Sequence, residues 1–155
     1  MKFKFRRRRW MGPKHGPALG VAMFTAKGST ASRDLTGPMA DDGRLHEWAL
    51  LHGVVLHDDA PSLELLDAHI DEWHADPSHH ECVDLGNSVG IYLGNVMLSG
   101  IAGSRWRVWP NGHPVIRLAS GREFDVTALV GERLLRSGSS LPSIYERAAS
   151  GTPSS

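Results

Sequence analysis

Residues 105–126 read RWRVWPNGHPVIRLASGREFDV, and this stretch decides the fold. Arg105-Trp106-Arg107-Val108-Trp109, Val115-Ile116-Arg117-Leu118 and Glu123-Phe124-Asp125-Val126 each place apolar residues at every second position. A period of two is the signature of half-buried strands. Pro110-Asn111-Gly112-His113 and Ser120-Gly121 carry turn chemistry between them, so the segment predicts a three-stranded antiparallel meander. Matching apolar faces sets a register with Trp106 beside Leu118 and Phe124, and Val108 beside Ile116 and Val126. The opposite face then carries Arg105, Arg107, Trp109, Val115, Arg117, Glu123 and Asp125. There Arg117 lies between Arg107 and Asp125, whose carboxylate relieves a like-charge neighbour.

Upstream the period changes to that of a helix, over roughly 83–99. Leu85, Val89, Leu93, Val96 and Met97 form its apolar face, and Gly86, Gly90 and Gly94 recur every fourth residue. Each helical glycine costs ~1 kcal/mol relative to alanine, so the stripe needs a compensating contact. Another backbone packed directly on it is the expected compensation, with a ligand approaching the bare backbone as the alternative. Asp84, Asn87 and the short length exclude a membrane GxxxG helix.

Two helices precede this one. The first runs from about Gly43 to His52, with Asp41 or Asp42 as N-cap and Gly53 at its end, and buries Leu45, Trp48, Ala49 and His52. The second opens at Pro61 and Ser62, buries Leu63, Leu66 (or Leu65), Ile70 and Trp73, and stops before Pro77. After the meander, one helix covers about Thr127 to Arg136 and ends at Gly138. Another starts from Ser140 with Pro142 in its first turn and presents Leu141, Ile144 and Tyr145. The expected fold class is α+β: N-terminal helices and a Gly-rich central helix packed on a three-stranded meander, followed by two short C-terminal helices.

The 155 residues suit one domain, and 41% hydrophobic with 22% charged residues is ordinary globular composition. Residues 1–40 are rich in Gly, Pro, Ser, Thr and Arg without periodicity and read as a disordered basic arm. Residues 41–149 form the α+β domain, and 150–155 a flexible tail. No apolar run approaches the ~20 residues of a membrane span. The first basic residues are followed by Pro13, Lys14, His15, Gly16 and Pro17, which breaks up any signal-peptide core. With the single cysteine, Cys82, unable to form an internal disulfide, a cytoplasmic location is expected.

The formal net charge of zero hides an asymmetry. Lys2, Lys4, Arg6, Arg7, Arg8, Arg9 and Lys14 precede the first acid, Asp34. From Asp34 to Asp84 there are 13 acids against one base, Arg44.

Gly86-Asn87, Gly90, Tyr92-Leu93-Gly94 and the run from Trp106 to Val126 resemble an uncharacterised actinobacterial, Streptomyces-type family of domains of unknown function, over about residues 42–148. The resemblance brings no activity, ligand or catalytic residue with it. More loosely, a Tyr-Leu-Gly helix followed by a Trp-bearing strand looks like small bacterial domains suspected of being toxin-neutralising partners.

Three sites suggest themselves. Arg and Trp are favoured in protein interfaces, so Arg105, Arg107, Trp109, Arg117, Asp125 and His113 mark a partner-binding face of a non-enzymatic module. The arm interleaves Lys2, Lys4, Arg6, Arg7, Arg8 and Arg9 with Phe3, Phe5 and Trp10, which suits nucleic acid or an anionic surface. A small metal-dependent or hydrolytic enzyme could use His113, or the histidines at 46, 52, 57, 69, 74, 79 and 80. No His-x-x-x-His or Cys-x-x-Cys spacing supports a metal, however, and no nucleophile motif appears, so no cofactor, metal ligand or catalytic residue is assigned.

Overall fold

Central to the structure is α3 (Glu81–Gly100), which meets every other helix and two strands of the sheet. The computed structural model describes residues 41–76 and 81–151. Around α3 are α1 (Gly43–Leu51), α2 (Ala60–Ala75), the strands β1 (Arg105–Val108), β2 (Pro114–Arg117) and β3 (Glu123–Phe124), then α4 (Val126–Leu134) and α5 (Leu141–Ala149). The fold is α+β, with a three-stranded antiparallel sheet in the order β1-β2-β3 and two short helices after it. The arm at 1–40, with Lys2, Lys4 and Arg6 to Arg9, lies outside the described residues, as do His79, His80 and residues 152–155. No helix among the described residues is long and apolar enough to cross a membrane.

The glycine stripe of α3 is covered, and each glycine meets something different. A Cβ at Gly90 would stand 2.8 Å from the Thr127 Cα, so the backbone at the start of α4 lies directly on the helix. At Gly94 a Cβ would fall within the indole of Trp106. At Gly86 it would meet only the tip of Leu134, at 3.0 Å. Backbone packing on the stripe is thus realised at Gly90, and a ring takes the same role at Gly94. On α3's apolar face Leu85, Val89, Leu93, Val96 and Met97 are buried, joined by Ile91 and Tyr92. The Tyr92 hydroxyl donates to the His57 carbonyl in the α1–α2 connection. Burial there pushes its pKa up to about 12.

Trp106 faces the core and Arg107 faces out, as the alternation requires. The register differs from the expected one by two residues on both ladders. Trp106 pairs with Ile116, and Ile116 with Phe124, so these three form the inward row. On the outward face Arg117 stands between Arg105 and Glu123, not between Arg107 and Asp125. A shift of two preserves which face each side chain takes, so apolar matching alone could not choose between the two registers. The turn decides: Trp109 N–H donates to the His113 carbonyl at 2.9 Å and Gly112 N–H to the Trp109 carbonyl at 2.8 Å, closing a tight loop. Gly112 there has φ +86°, which favours glycine.

Other boundaries move for local reasons. β3 ends at Phe124 because Asp125 caps α4, accepting from Ala128 N–H at 3.0 Å. Helix α2 begins at Ala60 because Asp59 caps it through Ser62 N–H. Helix α4 stops at Leu134, and Arg136, not Gly138, takes the left-handed conformation (φ +61°). On α2 the buried residues are Leu63, Leu66, Ile70 and Trp73, and Leu65 is exposed. His52 is not buried in the α1 face. It stacks on Trp48, ring centroids 4.8 Å apart, at the solvent edge.

Overpacking a well-filled interior costs typically about 1–3 kcal/mol. Gly90→Ala and Gly94→Ala should therefore lower stability in denaturant unfolding by about 1–3 kcal/mol, despite alanine's helix preference. Gly86→Ala meets only a movable leucine tip and should be neutral or slightly stabilising. Equal effects at all three positions would contradict the packing described.

Candidate functional site

The outward face of the sheet follows from the inward one. With Trp106, Ile116 and Phe124 turned to the core, Arg105, Arg107, Arg117 and Glu123 share the other side. Arg105 and Arg117 are directly opposed, an unfavourable like-charge pairing. Glu123 offsets it. Its Oε1 lies 2.9 Å from Arg107 Nη1 and 3.6 Å from Arg117 Nη1, and its Oε2 accepts from Trp109 Nε1 at 2.7 Å. The indole hydrogen bond, followed by the two guanidinium groups, holds the Glu123 carboxyl below its usual range against the opposing effect of desolvation.

One carboxylate therefore fixes three side chains of the proposed face. Trp109 is half-buried, not fully exposed, and its N–H is satisfied. Arg107 remains 48% exposed. Arg105 is exposed and forms no ion pair among the described residues. Val115, opposite Arg107, is fully buried but lies outside the main core, an apolar floor on the outward side.

Asp125 and His113 sit beyond the ends of the ladders. Asp125 Oδ1 accepts from Ala128 N–H and from the Thr127 hydroxyl at 2.9 Å, and Oδ2 lies 3.2 Å from His113 Nδ1. The carboxylate thus starts α4 and also orients an imidazole that is 53% exposed. A carboxylate-held histidine is one part of a nucleophilic triad. The hydroxyl beside it, on Thr127, donates to Asp125 and not to the ring.

Single acids or carbonyls partner several of the remaining histidines. His46 lies 3.4 Å from Asp42, His69 2.8 Å from Glu72, and His74 Nε2 donates to the Leu134 carbonyl at 2.8 Å. Among the described residues, no three His, Cys, Asp or Glu side chains gather as metal ligands.

Another polar cluster was not anticipated. Arg133 on α4 grips Asp67 on α2 through two parallel bonds, Nε–Oδ1 at 3.0 Å and Nη2–Oδ2 at 2.9 Å. Its Nη2 also reaches Asp71 at 2.5 Å. Asp67 Oδ1 in addition accepts from Leu141 N–H at 2.9 Å, at the first residue of α5. Nearby, Arg136 donates to the His74 carbonyl. A sequence signal existed: Asp67 falls within α2's apolar stripe, and a carboxylate there is buried only when paired. Bonding to two carboxylates raises the Arg133 pKa further, and its guanidinium in turn holds Asp71 below the usual carboxylate range.

A family model described as a family of unknown function, DUF6278, matches residues 1–151, and the chain belongs to that family. The match extends beyond the resemblance read over 42–148 and takes in the basic arm. Comparison with curated proteins and with solved structures found no match.

Removing one partner of a buried ion pair typically costs about 3–5 kcal/mol, so Arg133→Ala should destabilise severely while Asp71→Asn, at a 68% exposed position, costs far less. Asp71 and Glu123 have folded pKa values below their ordinary 3.8 and 4.5. Their contribution is full above the ordinary values and is lost as pH falls through the folded ones. Thermal melts should be level from pH 7 to 5 and fall steeply below about pH 4. Glu123→Gln should shrink that acid-side loss. An unchanged pH profile in that variant would contradict the assignment.

Proposed function

We propose that this member of a family of unknown function is a small non-enzymatic protein-binding module. Its sheet face of Arg105, Arg107, Trp109 and Arg117, flanked by His113 and Asp125, receives an acidic segment of a partner protein. The observation that carries this reading is the triple hold of Glu123 on Arg107, Arg117 and Trp109. Interfaces gain most from Arg and Trp groups already fixed before binding, because less side-chain freedom remains to be lost. Three arginines stand against one glutamate on the ladder, so the face attracts acidic groups. The single Cys82 and the actinobacterial resemblance over about residues 42–148 support a cytoplasmic setting in such a bacterium.

Titration with a fluorescent Glu/Asp-rich peptide tests the face. Arg105→Glu and Arg107→Ala should each weaken binding at least tenfold, with melting curves that overlay the wild type. Trp109→Ala should weaken it further. Unchanged binding would remove the reading, and a collapsed melt in all three variants would make the face structural.

A second reading is favoured by a separate observation: the family match includes the arm with Lys2, Lys4 and Arg6 to Arg9. These cations, with Phe3, Phe5 and Trp10 between and beside them, suit nucleic acid or an anionic surface. Binding to single-stranded nucleic acid or anionic vesicles should fall steeply with salt and vanish when residues 1–14 are deleted. Equal binding by the truncated chain would exclude it.

A further inference from the structure

One side of α1 and the start of α3 enclose a groove that the sheet face does not involve. Arg44, Glu47, Trp48 and Leu51 line it from α1, with His52 just beyond, and Asp84 and Leu85 from α3. Its apolar lining comes from Trp48, Leu51 and Leu85, and the exposed Glu47 and Asp84 add two carboxylates beside a single arginine, Arg44. Among the lining side chains Leu51 is a large apolar one left 77% exposed.

We propose that this groove docks the chain's own residues 2–10, KFKFRRRRW, one aromatic ring seated against its apolar lining and neighbouring cations on the carboxylates. Volume is the first reason. The cavity measures about 210 Å³. An apolar cavity of about 150 Å³ takes up benzene, whereas small-molecule sites begin at about 300 Å³. One phenyl or indole group therefore fits. Charge is the second reason. Nine cations precede the first acid of the chain, six of them within residues 2–10, while residues 34–84 hold 13 acids and one base other than histidine. The third reason is reach. The chain enters α1 at Asp41, whose carbonyl accepts from Ser88, within a turn of Leu85 on α3. Helix α1 advances about 14 Å along its nine residues, a span the 30 residues between Trp10 and Asp41 cover many times over. Attachment also supplies a local concentration near the millimolar range, so a weak contact suffices. The family match carries arm and groove together. Docking would occupy the same cations that a polyanion requires, so the two uses of the arm exclude one another.

Trypsin cleavage after Arg6 to Arg9 in the full chain, read by mass, tests the docking. The wild type should be cut about tenfold more slowly than Leu51→Glu, and than Glu47→Lys combined with Asp84→Lys. These three side chains are exposed, so the melts of the variants should match the wild type. If Leu51→Glu does not fold, the charge-reversal variant decides alone. Equal cleavage in wild type and variants overturns the proposal. So does slow cleavage that groove substitutions leave unchanged, since the arm would then lie elsewhere. Protection that rises with protein concentration would place the arm on a second copy and overturn it equally.

Discussion

The contact between the Trp106 indole and the bare backbone of α3 at Gly94 fixes the relation of sheet to helix. A ring can lie this close to a helix axis only where no Cβ intervenes. The same helix presents Gly90 to the Thr127 backbone, so sheet and α4 are set on one surface by adjacent turns. Hydrogen bonds extend the contact outward. Trp106 Nε1 donates to Asn95 Oδ1 at 3.2 Å, and Asn95 Nδ2 to Asp42 Oδ2 at 3.0 Å, where α1 begins. A glycine costs about 1 kcal/mol in a helix, and the dispersion contacts it permits here offset that loss.

The outward chemistry is a consequence of this inward seating. Strand alternation leaves no freedom: once Trp106 enters the notch, Arg105 and Arg107 must leave it. Glu123 then decides what kind of surface results. Without it, Arg105 and Arg117 would be opposed cations with mobile side chains. With it, two guanidinium groups and an indole share one anchor. Arg133 and Asp67 tie α4 and α5 to α2 by charge-assisted bonds of fixed geometry. The sheet face is therefore carried on a scaffold in which α4 packs on α3 and is tied to α2.

Much of this was legible in the residues. Periods of two and 3.6 gave the element order, the inward position of Trp106 and the packed glycine stripe. Ser140 and Gly53 fulfilled their capping roles, since cap chemistry is local. Ladder register was not legible, because a shift of two leaves every face unchanged and only the loop geometry distinguishes the options. Asp125 continues the period of two in the sequence, but its carboxylate serves as the cap of α4, the stronger local demand. The pairing of Asp67 with Arg133 spans 66 positions, and nothing in local spacing links two such distant residues. The resemblance stopped at residue 42, whereas the family match begins at residue 1, because low-complexity basic sequence carries few distinctive motifs.

A double-mutant cycle between Gly94 and Trp106 tests the seating most directly. Gly94→Ala strains the indole, and Trp106→Leu removes the ring that the new methyl would strike. The account predicts that the pair costs less than the sum of the single substitutions, by roughly 1–3 kcal/mol in denaturant unfolding. Strict additivity would mean that helix and ring do not meet, and the placement of the sheet on α3 would be wrong.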